Sequence, residues 1–198
     1  MVRLLICSLV FCLAAASSWA QGPDKGRNQA ETTQVCKPDC LSDNFICYEN
    51  VTWTMYGCSW TAYYCYRKAC GIWCDVQPIS VYCNTNPPCM TLTPSQVFEM
   101  AAKQIIYDVS LTKGLLDCIP TAEGQCRPNW RVTSSSCWKW HLVAGPVPDW
   151  RVTICEVNTC CLFLYEMCII DGEYQIRRLS SSTDPTPCPS GCMKVCNE

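Results

Sequence analysis

Histidine is almost missing from this chain of 198 residues, which has His141 and no other. Charge is also sparse, at 16% of residues, with 15 Lys and Arg against 17 Asp and Glu and no basic run. That balance argues against nucleic acid or an anionic membrane as a partner, because both are bound through clustered cations. Nucleophilic catalysis needs a base, and His141 in Trp138-Lys139-Trp140-His141 has only Ser134 to Ser136 near it in sequence, without a G-x-S-x-G elbow. The acidic residues are scattered, so nothing marks a carboxylate pair for glycoside hydrolysis. Paired C-x-x-C knuckles are lacking, and beyond the first 20 residues no apolar run approaches the length of a membrane span. These absences lead to the expectation of a protein that is not an enzyme, holds no metal or cofactor, and has no membrane span.

Cysteine, by contrast, is abundant. Arg3, the apolar run Leu4 to Ala16, and small residues at Ser18 and Ala20 predict an export signal over 1–20, cleaved to leave Gln21 first. Cleavage removes Cys7 and Cys12, and 19 cysteines remain. In an oxidising compartment thiols at that density pair, so a disulfide-rich secreted domain is expected, extracellular or at a cell surface, or periplasmic in a bacterium. Spacings such as Cys36/Cys40, Cys70/Cys74 and Cys188/Cys192 would suit zinc, but export favours bridges. The odd number leaves one thiol for a second chain, a buried site or a mobile end. Adjacent Cys160 and Cys161 are expected to join two different partners. Asn50-Val51-Thr52 is a glycosylation sequon.

Residues 21–35 are polar and aperiodic and read as a flexible arm. A cysteine-rich β segment follows over 36–89. Asn44 to Met55 and the alternating run from Trp60 to Tyr66 predict strands, and Ile72 to Tyr82 a third in which Pro78 forces an edge, a bulge or a break. Residues 90–125 form a helical connector. Thr93-Pro94-Ser95-Gln96 combines an N-cap, a first-turn proline and a capping-box glutamine, and apolar residues recur at helical spacing to about Tyr107. A second cysteine-rich β segment covers 126–198 and could form one domain with 36–89. Within it Cys160 to Ile170 reads as a strand covered on both faces, Asp171-Gly172 as a type I′ turn, and Glu173 to Leu179 as the return strand. Cys188, Cys192 and Cys196 should clasp the tail. The fold expected is mainly β, antiparallel sheets and hairpins with one amphipathic helix.

An internal echo is the other unusual feature: Pro128-Asn129-Trp130-Arg131-Val132-Thr133 returns as Pro148-Asp149-Trp150-Arg151-Val152-Thr153. In strands each copy puts its tryptophan on one face and its arginine on the other. Seven tryptophans follow the signal. Trp138 and Trp140 share a face in any strand, and with Trp130 and Trp150 they are the candidate binding residues for a sugar ring or a protein. Two functions fit: a durable structural or adhesive extracellular protein that self-associates, or a module that binds an extracellular glycan or protein, an inhibitor or effector included.

Overall fold

The computed structural model describes residues 44–84, 91–143, 149–156, 159–182 and 184–196. The export signal and the arm lie outside these residues, with Cys36, Cys40 and Cys89, so the odd cysteine is not assigned here.

Three strands open the fold: β1 (Ile46–Met55), β2 (Cys58–Ala69) and β3 (Trp73–Cys83). One helix, α1 (Pro94–Thr112), and a 3₁₀ turn at Leu116–Cys118 follow. The last third supplies β4 (Cys126–Ser134), β5 (Cys137–Val143), β6 (Asp149–Ile154), β7 (Cys161–Ile170), β8 (Glu173–Ser181) and the short β9 (Met193–Lys194). The chain is therefore mainly β with a single helix among the described residues, as composition and period indicate.

The turns explain why the strands pair as they do. Met55 faces Cys58 across Tyr56-Gly57, and Ile170 faces Glu173 across Asp171-Gly172. Both central residues of each turn have positive φ, which gives the type I′ geometry that matches strand twist. Pro78 resolves as a bulge: the β2–β3 register shifts between Tyr63 and Tyr64, which face Ser80 and Pro78, leaving Ile79 as the extra residue. The missing N–H is thereby accommodated inside a central strand, not at an edge.

All nine strands join one sheet that forks at β3. One edge of β3 is taken by β2 over its whole length. Its other edge is divided, with β4 parallel along Cys74–Val76 and β6 antiparallel along Ser80–Cys83. Beyond β4 lie β7 and β8, and beyond β6 lie β5 and β9. The two cysteine-rich segments are thus woven together, and β3–β4 is a parallel pair in a sheet expected to be antiparallel throughout.

The sheet curls as a half-barrel with α1 against its inner face. Thr93 caps the helix, its hydroxyl accepting from the Gln96 amide at 3.2 Å while the Gln96 side chain accepts from the Thr93 amide at 2.8 Å. Val97, Ala101, Ile105 and Val109 point into the sheet, and this buried stripe carries the helix past Tyr107 to Thr112. Beneath it lie Trp60, Ala62, Val76, Val81, Trp130, Val132, Val152 and Phe163. Strand β7 alternates: Phe163, Tyr165 and Met167 are buried, while Leu162, Leu164 and Glu166 are half-buried. The expectation that both its faces are covered is corrected, because α1 covers only the inner one.

Six bridges are described. Cys47–Cys65 ties β1 to β2, Cys74–Cys118 ties β3 to the turn after the helix, and Cys126–Cys168 ties β4 to β7. Cys137–Cys188, Cys155–Cys192 and Cys161–Cys196 fasten the tail to three places in the sheet, which is the clasp the spacing predicts.

Candidate groove and the two faces of the sheet

The four candidate tryptophans lie on the inner face. Trp130 and Trp138 are fully buried, and Trp140 and Trp150 pack half-buried against the same core. Each indole N–H of the first three finds an acceptor: Cys118 O for Trp130 at 2.9 Å, Ser135 O for Trp138 at 3.0 Å, and Leu92 O for Trp140 at 2.9 Å. Trp60 links Trp53 and Trp140, with ring centroids 6.3 Å apart in both pairs. A contact surface built on Trp138 and Trp140 is corrected accordingly. The shared face was legible, but a helix occupies the side it points to.

The echo flanks β3 on its divided edge, Trp130 opposite Cys74 and Trp150 opposite Cys83. Its arginines take the outer face. Arg131 reaches Asp75 of β3 with Nε at 2.6 Å and a terminal nitrogen at 2.9 Å, and Arg67 of β2 reaches the same carboxylate at 2.8 Å. Asp75 is fully buried, and the guanidiniums of Arg67 and Arg131 lie over Phe45 and Trp73. In the second copy Arg151 uses the acid inside its own motif, Asp149, at 3.1 and 3.2 Å, and donates to the Tyr82 hydroxyl at 3.0 Å. Asn129 occupies the equivalent place in the first copy, where it donates to Ile72 O at 2.9 Å. The first motif arginine is thus held by the neighbouring strand alone, and the second by the acid of its own motif as well as by Tyr82 of β3.

His141 lies opposite Arg151, with Nδ1 3.1 Å from the Thr153 hydroxyl. Burial, then Arg151 and Lys139, holds its pKa below the ordinary histidine range. The serines beside it in sequence are engaged elsewhere: Ser134 with the Trp138 indole and Ser135 with Thr159. Cys126, Glu166 and Cys168 also converge, but both sulfurs are spent in one bridge and Arg177 donates to Cys168 Sγ at 3.3 Å.

A groove of about 470 Å³ runs along the solvent side of α1. Met55, Tyr56, Leu92 and Met100 supply its apolar wall, and Gln96, Glu99, Lys103, Gln104 and Arg178 its polar one. A second hollow of about 290 Å³ shares Lys103 and Gln104 and continues to Tyr107, Tyr174 and Ile176. Glu99 accepts from the Tyr165 hydroxyl at 2.7 Å and faces Lys103 at 3.3 Å and Arg178 at 3.6 Å. Two cations thus share one carboxylate, and the groove carries an excess of positive charge. Its rim is marked by Tyr56, 75% exposed with φ of 55° at the tip of the β1–β2 turn. Asn or Gly is the usual occupant of such a position. Tyr-Gly in place of Asn-Gly, and the i,i+4 pair Glu99/Lys103, are the traces this groove leaves in the sequence; its walls come from distant strands.

No family model, curated protein or solved structure matches the chain. Its many bridges and β architecture are compatible with an extracellular binding or structural module. Among the described residues no helix is long and apolar enough to cross a membrane.

Proposed function

We propose that this is a secreted, non-enzymatic binding module that holds an extended extracellular polypeptide in the groove along α1. The observation that carries the reading is Tyr56. A large aromatic side chain is kept in a left-handed turn, at a cost that Asn or Gly would avoid, and it stands exposed at the groove rim. Placed there it offers a rigid anchor of the kind that dominates binding surfaces. Lys103 and Arg178 beside an apolar wall fit a segment carrying an acidic group next to an aliphatic one. The bridges serve durability in a compartment rich in proteases.

A structural, self-associating role is the second reading, and strand β8 favours it. Among the described residues β8 pairs only with β7, and seven of its nine residues are exposed, so its free edge can add another strand. Arg177 and Arg178 oppose pairing between two copies, because an antiparallel match brings like charges together.

Selection of random extended peptides against the mature protein distinguishes the two. Acidic-aliphatic peptides that bind wild type but not Lys103→Glu/Arg178→Glu, with a monomer by light scattering, are the expected result. Absence of selected peptides, together with large species that shrink on blocking β8, would overturn the groove reading.

A further inference from the structure

The sequon takes no part in the groove or the core, and its placement gives it a role. Asn50 and Thr52 are both exposed on β1, on the face of the sheet away from α1. Val51 and Trp53, between and beyond them, turn inward against Ala62 and Trp60. Thr52 hydroxyl lies 3.1 Å from that of Thr61, and Asn50 stands opposite Tyr63. Tyr63 in turn meets Tyr82 edge-on at 5.2 Å, and Tyr82 carries the Arg151 guanidinium over its ring at 4.1 Å. Asn50 thus opens onto a half-buried row of planar side chains that the core does not use and no described element covers.

We propose that Asn50 carries an N-linked glycan whose first sugar lies against Tyr63, covering the outer face and leaving the groove open. In the transfer the Asn50 side-chain nitrogen bonds to the anomeric carbon of an N-acetylglucosamine on a polyprenyl-pyrophosphate oligosaccharide. The bond from that carbon to the phosphate oxygen breaks, the lipid pyrophosphate leaves with the electron pair, and one amide proton is lost. Nothing is oxidised or reduced. The transfer precedes folding: once Asn50 is laid beside Tyr63 and Cys47–Cys65 has closed, the strand cannot bend its carboxamide out to a transferase. Disulfide density fits an oxidising compartment, of which the lumen where this chemistry operates is one. The sugar faces bring C–H groups to the Tyr63 ring, the same stacking that aromatic side chains offer generally.

The test is intact mass of the full chain made with its own export signal in an insect or mammalian host, in secreted and cell-retained fractions, before and after peptide N-glycosidase F. A single-glycan mass that the glycosidase removes, retained in Thr52→Ser and absent in Asn50→Gln and Thr52→Ala, is expected. An unmodified mass in both fractions, or a glycan that survives Asn50→Gln, overturns the site. For the stacking, Tyr63→Ser should lower Tm by a larger step in the glycosylated protein than in Asn50→Gln; equal steps would remove Tyr63 from the proposal. Neither outcome depends on the groove having a ligand.

Discussion

Asp75 is the residue on which the outer face turns. It lies in one straight row with Arg67 and Arg131 across β2, β3 and β4, and accepts from both guanidiniums while fully buried. Taking three charges out of water is costly, so the row is weak evidence of net stability, but breaking it leaves charge stranded. Asp75→Asn should therefore cost about 3–5 kcal/mol in chemical denaturation with the bridges intact. Tyr56 makes the opposite prediction. Tyr56→Asn relieves the left-handed strain and should raise stability by about 1 kcal/mol while weakening any peptide selected on the groove. His141 adds a pH dependence. Its folded pKa is depressed, so below the ordinary histidine value the unfolded chain binds more protons than the native one. Stability should be full above that value and fall as pH drops through the depressed folded pKa. Tm measured from neutral to mildly acidic pH should decline less in His141→Gln than in wild type.

At the scale of elements, local signals were readable where they depend on neighbours in sequence. The helix start at Thr93 to Gln96 and the Asp171-Gly172 turn follow from a few residues and their φ or hydrogen-bond needs, whereas Pro78 leaves an edge, a bulge or a break open until the β2–β3 register selects the bulge. Thr93→Ala should lower stability by about 1 kcal/mol, seen as a fall in Tm, because it removes half of a reciprocal cap. What periodicity does not carry is which side of a strand becomes the inside. Trp138 and Trp140 share one face by strand period, yet nothing local says that α1, beginning more than forty residues earlier, lies against that face. The groove was hidden for the same reason: its walls, Tyr56, Gln96 and Arg178, come from a turn, a helix and a strand far apart in the chain.

For the whole molecule, the described bridges and the sheet divide the labour. Five of the six bridges lie within the first three strands or within the last third, and only Cys74–Cys118 leaves the N-terminal segment. None of the six crosses from β1–β3 to β4–β9; among the described residues the junction is held by β3's hydrogen bonds, the buried Asp75–Arg131 pair and the tryptophan core. Replacing Cys74 and Cys118 with Ala should cost about 4 kcal/mol from the larger freedom of the unfolded chain, measured by urea unfolding.

The fork at β3 also sets a timetable. Once the exported chain begins to fold, β1, β2 and β3 can zip into hairpins first, since their partners are adjacent. The other side of β3 must wait for Val132 and then for Trp150, with the helix made in between. During that interval a strand of Val, Ile and Tyr stands with one bare edge among reactive thiols, the stage at which pairing with another chain competes with the native partners.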